Sequence, residues 1–306
     1  MKERKSTGRG RTKAGKKPAQ KPAQIKIPYT SGENATTPSP AATRLDRASR
    51  ASKPRVSVVI PSKNESENLK YVLPLLPKDI YEVIIVDASD NDSTKKTALS
   101  LTPKAKVIQQ LGKGKGSALS AGFSYATGDV IVMLDADGSM DPREIPAYIG
   151  LLMSGADLVK GSRYIQGAHS EDITLLRSIG NQALRTIANT LFKQRWSELA
   201  YGYAAFWRDI VKPLGLDSLD HPYSKPRMDY GHGFEIETLI FTRAAAAGLR
   251  VVEAPSVEYN RVNGESNLRT FPDGFRVLLC MLQEYARKRT VNGNNQHPRL
   301  NPDTNG

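Results

Sequence analysis

Short apolar runs alternate with helical periods through the first folded part of the chain. Residues 56–60 (Val-Ser-Val-Val-Ile), 82–86, 106–109 and 130–134 (Val-Ile-Val-Met-Leu) read as strands. Their near-continuous apolar character is that of strands covered on both faces. Between them, 66–75, 93–101 and 116–126 have the composition and spacing of helices, and Gly128 supplies a stop after the third. A series of strand, helix and strand repeated in this way predicts parallel strands joined by right-handed crossovers. Further along, 142–153 reads as a helix with Pro142 in its first turn, and 157–160 as a strand. Residues 174–193 carry apolar positions at helical spacing (Leu175, Leu176, Ile179, Ala183, Leu184, Ile187, Leu191). A helix near 234–247, a strand near 250–254, a loop at 260–270 and an amphipathic helix at about 272–288 complete the pattern. The expected fold class is α/β, with a mostly parallel central sheet flanked by helices.

Size and charge refine the picture. The chain of 306 residues suffices for one α/β domain with a substantial core. Of a net charge of +13, residues 1–53 carry +11, with fourteen Lys/Arg against Glu3, Glu33 and Asp46. That stretch lacks hydrophobic periodicity and is rich in Pro, Ala, Thr, Gly and Ser, the signature of a disordered basic arm over 1–54. An arm of this kind suits a tether to an anionic membrane surface, where each cation adds about 1 kcal/mol. A solubilising tail and nucleic-acid contact are the alternatives. Nucleic acid is disfavoured because the excess charge stays in the arm, with no aromatic and basic interleaving elsewhere. The domain is expected over 55–289, followed by a flexible tail at 290–306.

No apolar stretch reaches the ~18–20 residues of a transmembrane helix, and no apolar core of a secretory signal follows the first basic residues. Cys280 is the only cysteine, sits in an apolar helical pattern and is expected in the core. A reducing cytoplasm is the expected location, with peripheral attachment to the inner face of the membrane through the arm.

Chemistry collects where the strands end. The 130–134 run leads into Asp135-Ala136-Asp137, the first into Pro61-Ser62-Lys63-Asn64-Glu65, and the second into Asp87 with Asp90 and Asp92. In open α/β sheets ligands bind beyond the carboxyl ends of the strands. In extended backbone residues i and i+2 share a side, so Asp135 and Asp137 can share one ion. Mg²⁺ is typically held by one or two carboxylates with substrate phosphates, so the spacing suits a metal that clamps a diphosphate. Gly112-Lys113-Gly114-Lys115-Gly116 lacks the spacing of a phosphate loop. Its glycines still allow close backbone approach, and the helix that follows is expected to offer its N-terminus to an anion.

Taken together these blocks resemble the family 2 glycosyltransferases of GT-A fold, and among them the polyprenyl (dolichol)-phosphate mannosyl- and glucosyltransferase-like proteins. The likeness covers roughly 56–280. It runs from Val59-Ile60-Pro61-Ser62-Lys63-Asn64-Glu65 through Val86-Asp87, Gly112-Lys113-Gly114, Ala126-Thr127-Gly128-Asp129 and Asp135-Ala136-Asp137. It continues with Gly161-Ser162-Arg163-Tyr164, Tyr201-Gly202-Tyr203, Gly233-Phe234-Glu235 with Glu237, and Arg261 with Gly264, Ser266 and Leu268. The resemblance implies a nucleotide-sugar donor such as GDP-mannose or UDP-glucose. Its base and ribose would lie against Pro61, Glu65 and Asp87, with Asn64 and Lys115 also on the donor side. Asp135 and Asp137 would reach the diphosphate through Mg²⁺ or Mn²⁺. Arg163 and Arg261 would face the acceptor, and the loop around Ser266 would close over it. Ala88 and Tyr201 depart from the pattern, standing where relatives often carry Asp.

The expected reaction displaces a nucleoside diphosphate at the anomeric carbon. A phosphate acceptor, a polyprenyl phosphate first, arrives ionised and needs no base; a hydroxyl acceptor would need Glu237 or Glu235. A small phosphorylated acid is the alternative acceptor. A nucleotidyltransferase and a non-catalytic basic binding protein are the remaining readings. The first is disfavoured because Pro61-Ser62-Lys63-Asn64-Glu65 stands where a glycine-rich loop would be expected.

Overall fold

The structure is a computed structural model and describes residues 53–219, 230–264 and 268–294. The basic arm to residue 52, Ser266 and residues 295–306 lie outside the described residues.

Seven strands form one sheet in the order β3-β2-β1-β4-β7-β5-β8. They are β1 (Val56–Ser62), β2 (Glu82–Asp87), β3 (Lys106–Gln109), β4 (Val130–Met133), β5 (Leu158–Ser162), β7 (Ala204–Trp207) and β8 (Val251–Pro255). β1 pairs in parallel with β2 (Val59 opposite Ile84) and with β4 (Val59 opposite Met133). The strand order reverses direction at β1, so the carboxyl ends of β1 and β4 open the crevice in which ligands bind on such sheets. The first four strands therefore follow the pattern read from the sequence.

β7 does not. It lies antiparallel between β4 and β5, with Ile131 opposite Phe206 and Val159 opposite Ala205. Its sequence, Ala-Ala-Phe-Trp, is four residues long, buried throughout and half alanine, so it shows neither alternation nor strong β propensity. Tertiary packing makes this strand. A second, two-stranded sheet, β6 (His169–Ser170) with β9 (Val257–Glu258), was likewise unannounced by pattern.

Helices cover both faces. One face packs α1 (Ser66–Val72), α2 (Ser93–Leu101) and α4 (Ile145–Met153) over Val58, Ile60, Ile85 and Val132. The other packs α3 (Lys115–Tyr125), α5 (Leu175–Phe192), α6 (Ile236–Ala246) and α7 (Thr270–Asn294) over Val59, Ile84, Ile131 and Phe206. Cys280 is fully buried in this second layer, as expected. A Cβ at Gly122 would stand 2.2 Å from a methyl of Val59, so glycine is what lets α3 press onto β1. α7 runs to Asn294, five residues past the boundary expected at 289.

Candidate active site

β4 delivers Asp135 and Asp137 to the crevice, and cations from other elements meet them there. Lys115, the first residue of α3, places Nζ 2.8 Å from Asp135 and 2.7 Å from Glu237 of α6. Arg261 places Nη2 2.8 Å from Asp137 and Nη1 3.1 Å from Glu65. Asp137 also accepts from the amide (3.0 Å) and the hydroxyl (2.7 Å) of Ser139 across a turn at Gly138. Four carboxylates thus face two cations, which leaves a formal excess of two negative charges. Among the described residues no group of three or more His, Cys, Asp or Glu could hold a metal ion unaided. The pair of carboxylates and its charge excess fit a divalent ion whose remaining ligands come from a substrate's phosphates.

Burial sets the protonation of this cluster. At Lys115 burial favours the neutral amine, but Asp135 and Glu237 outweigh it and hold the ammonium more firmly than usual. Glu237 moves up, because burial and the negative charge of Asp135 prevail over Lys115. It is a buried helix residue, 7% exposed, and not a solvated one.

Two cavities meet at this cluster. The larger, about 570 Å³, is lined by Pro61, Ser62, Lys63, Glu65, Ala88, Asp90, Gln110 and Lys113. The other, about 230 Å³, lies between α5 and α7 and is lined by Arg163, Arg177, Leu184, Tyr201, Glu237 and Val277, among others. Lys115, Asp135, Asp137, Phe234 and Arg261 line both, so they form the boundary where two bound molecules would touch.

Of the residues expected on the donor side, Pro61, Glu65, Lys115 and Asp135 line the larger cavity. Asn64 does not: it is an exposed turn residue at φ 59°, its amide donating to the Ser89 hydroxyl at 2.7 Å. Asp87 does not either: it is 5% exposed and accepts from the Ser89 amide at 2.9 Å, while Ala88 and Asp90 reach the wall. The helix N-terminus after the glycine-rich loop is also used differently. The amides of Gly116 and Ser117 donate to the His232 carbonyl at 2.9 and 3.3 Å. A Cβ at Gly116 would sit 1.7 Å from the Gly231 carbonyl oxygen, so these glycines admit another loop of the chain rather than a phosphate. Gly112, Lys113 and Gly114 still line the cavity.

Of the residues expected on the acceptor side, Arg163 lines the smaller cavity, but as part of a buried network. Its Nε donates to Glu198 at 2.9 Å, its Nη1 to Glu258 at 2.7 Å, and its Nη2 also bonds Glu198. The guanidinium lies 4.8 Å from the Tyr201 ring centroid, and Tyr201 bonds Ser256 at 3.0 Å. Tyr201 thus takes a packing position where an acid was the common alternative. Sequence reading missed Glu198, Glu258 and Arg177. Glu198 sits in irregular backbone with no motif around it, whereas Arg177 shares a helical face with Asn181 and Leu184 and could have been found from the period. Ser62, the last residue of β1, lines the larger cavity, and its buried hydroxyl has no bonding partner among the described residues.

Sheet order, carboxylates at the switch point and paired cavities define a glycosyltransferase of GT-A fold. Comparison with known proteins agrees. The profile described as "Glycosyl transferase family 2" matches residues 57–215. A dolichol-phosphate mannosyltransferase of Pyrococcus furiosus is 32% identical over 70% of this chain, which spans 59% of that protein's length. An undecaprenyl-phosphate mannosyltransferase of Micrococcus luteus is 30% identical over 70% of this chain and 87% of its own length. A solved structure of glucosyl-3-phosphoglycerate synthase from Mycobacterium tuberculosis, in complex with Mn²⁺, UDP and glucosyl-3-phosphoglycerate, superposes with a TM-score of 0.57 at 18% identity. That match covers 84% of this chain and 87% of the other, and it shows the fold. The chain belongs to the family 2 glycosyltransferases.

Proposed function

We propose that the protein transfers a hexose from a nucleotide-diphosphate sugar, GDP-mannose or UDP-glucose, to a phosphate-bearing acceptor, in first place a polyprenyl phosphate. The observation that carries this reading is the meeting of two cavities at Asp135, Asp137, Lys115 and Arg261. The larger cavity has room for a nucleotide, with Ser62, Lys63, Asp90, Gln110 and Lys113 in its wall. The smaller combines Arg163 and Arg177 with apolar Ile173, Leu184, Leu268 and Val277, a lining suited to an anion on a hydrocarbon chain.

Asp135 and Asp137 would hold Mg²⁺ or Mn²⁺ together with donor phosphates, and the ion would stabilise charge on the departing diphosphate. Lys115 orients Asp135 and Glu237 across the boundary between the sites. Arg261, joined to Glu65 and Asp137, faces both and supports negative charge arriving from either side. With an ionised phosphate as nucleophile no proton need be removed. Glu237, held by Lys115, then keeps a structural and electrostatic role.

A small phosphorylated acid is the second reading. It is favoured by the modest volume of the acceptor cavity and by the phosphoglycerate chemistry of the structural relative. The test is calorimetric binding of a nucleotide-sugar panel with Mn²⁺, followed by product analysis with undecaprenyl phosphate and with 3-phosphoglycerate. Hexosyl-phospholipid formation is the expected result. Exclusive transfer to phosphoglycerate would establish the second reading, and no binding of any nucleotide sugar would refute both.

A further inference from the structure

The connection from α5 to β7 is buried without being regular. Residues 194–200 form neither helix nor strand, yet Trp196, Glu198 and Leu199 are buried. Buried main-chain groups need partners, and here side chains supply them. Each amide from Trp196 to Ala200 donates to a side chain: Trp196 to Asn189 (3.0 Å), Ser197 and Glu198 to Glu253 (2.8 and 3.3 Å), Leu199 and Ala200 to Asn181 (both 3.2 Å). The carbonyls of Trp196, Ser197 and Glu198 accept from Asn189 (2.9 Å), Arg185 (3.3 Å) and Lys160 (2.8 Å).

This cradle has two sources. Asn181, Arg185 and Asn189 recur every fourth residue on α5, a polar stripe among its apolar positions. Lys160 of β5 and Glu253 of β8 stand opposite one another on adjacent parallel strands, with Nζ 3.0 Å from the carboxylate. Lys160 is fully buried, two residues after Leu158 on the face that α6 covers, and its Nζ lies 5.1 Å from the Phe241 ring centroid.

A lysine is seldom buried unless paired, and a buried ion pair is often no more stabilising than apolar side chains of similar volume. Stability alone therefore does not account for Lys160 in this strand. What the pair supplies, and apolar residues cannot, is a donor for the Glu198 carbonyl and acceptors for two successive amides. The segment so held reaches the smaller cavity. Glu198 takes the amide and guanidinium of Arg163, the Ala200 carbonyl accepts from Arg163 at 3.2 Å, and Ala200, Tyr201 and Gly202 stand in the wall. Lys160 and Glu253 themselves line neither of the two cavities described.

We propose that Lys160 and Glu253, together with the polar stripe of α5, are positioning residues for the acceptor. They fix residues 196–200 and, through Glu198, the setting of Arg163 at the cavity wall. The proposal rests on the reading of the smaller cavity as the acceptor site.

The experiment has two readouts on the full chain. Amide hydrogen exchange, with neither donor nor acceptor present, compares the native chain with Lys160→Met and Asn189→Ala. Asn189 is half-buried and lines neither cavity, so Asn189→Ala alone decides should Lys160→Met not fold. Exchange at 196–200 is expected to rise about tenfold in each, the factor for a lost hydrogen bond to a charged or buried group. Transfer assays on the same variants are expected to show acceptor KM raised about tenfold with donor Kd unchanged, since a small misplacement of the wall is felt by the ligand it faces. Glu82→Gln is the control for lost stability elsewhere in the sheet, and neither readout should move in it. Unchanged exchange at 196–200 in the variants, or an equal rise in Glu82→Gln, would overturn the proposal. So would faster exchange with acceptor KM unaltered, which would make the cradle a fixture of the fold alone. Should the native chain transfer to no acceptor, the reading of the smaller cavity falls, while the exchange rates still uphold or overturn the cradle.

Discussion

Two buried carboxylates, Glu82 behind the first half of the sheet and Glu198 beside the second, do different work. In the first half Glu82 accepts from the Ser57 hydroxyl (2.6 Å), the Thr127 amide (2.6 Å) and the Gly128 amide (3.2 Å), and pairs with Lys106. It ties β1, β2, β3 and the turn before β4 together at the end away from the crevice. In the second half Glu198, fully buried, takes the guanidinium and the amide of Arg163 at the cavity wall. The first carboxylate secures a scaffold, whereas the second shapes a site. The strands behind the larger cavity are thus tied together at their far ends, whereas the buried pair of Arg163 and Glu198 stands at the wall of the smaller one.

The residues shared by both halves should give the largest effect. Asp135→Asn and Asp137→Asn are each expected to lower transfer by about 10³-fold, roughly 4 kcal/mol of transition-state stabilisation, because they sit where leaving-group charge develops. Turnover and thermal melts on each variant check this, with melting temperatures shifted by only a few degrees. Activity near that of the native chain in the double variant would break the assignment of both carboxylates.

Next in size is Glu198→Gln. Removing one partner of a buried ion pair costs about 3–5 kcal/mol, and here it leaves Glu258 as the remaining acid paired with Arg163 among the described residues. Denaturant titration should show that loss together with a raised acceptor KM and an unchanged donor Kd. A loss of stability with both binding constants unaltered would reduce Glu198 to scaffold, like Glu82.

The donor half was legible because its logic is local. Apolar runs, the residues directly after them and the crossover helices stand in chain order, so Pro61, Glu65, Asp135 and Asp137 could be placed from sequence. Fine geometry there was not legible: Asp87 and Asn64 stand at turns that hold Ser89, outside the cavity lining, a distinction invisible before the backbone is known. The acceptor half resisted because its contacts are distant. Arg163 meets Glu198 and Glu258, 35 and 95 residues away, and β7 is made a strand by neighbours rather than by its own sequence. Lys115 read as a donor ligand, and only the fold reveals it as a bridge to Glu237, 122 residues on.

A smaller effect appears at acid pH. Glu82 is buried, which works against ionisation, yet its bonds to Lys106, Ser57 and Thr127 bring its carboxyl from the ordinary 4.5 down to about 2. A depressed carboxyl stabilises the fold fully above the ordinary range and loses that contribution as pH falls towards about 2, on the order of 3 kcal/mol in all. Melting temperature followed from neutral to acid pH should decline through that window, and Glu82→Gln should flatten the decline. A decline of unchanged steepness in the variant would place the acid sensitivity elsewhere.

The division of labour between the halves is tested most directly by a crossed measurement on two side chains outside the shared cluster. Lys113 lines only the larger cavity and Arg177 only the smaller. Nucleotide-sugar Kd and acceptor KM are measured for Lys113→Ala and Arg177→Ala. Each lost charged contact is worth about 1.5 kcal/mol or more, a factor of about ten. A tenfold weaker donor with an unchanged acceptor KM is expected for Lys113→Ala, and the reverse for Arg177→Ala. Both variants weakening the same ligand, or each weakening both alike, would contradict two sites meeting at Asp135 and Asp137.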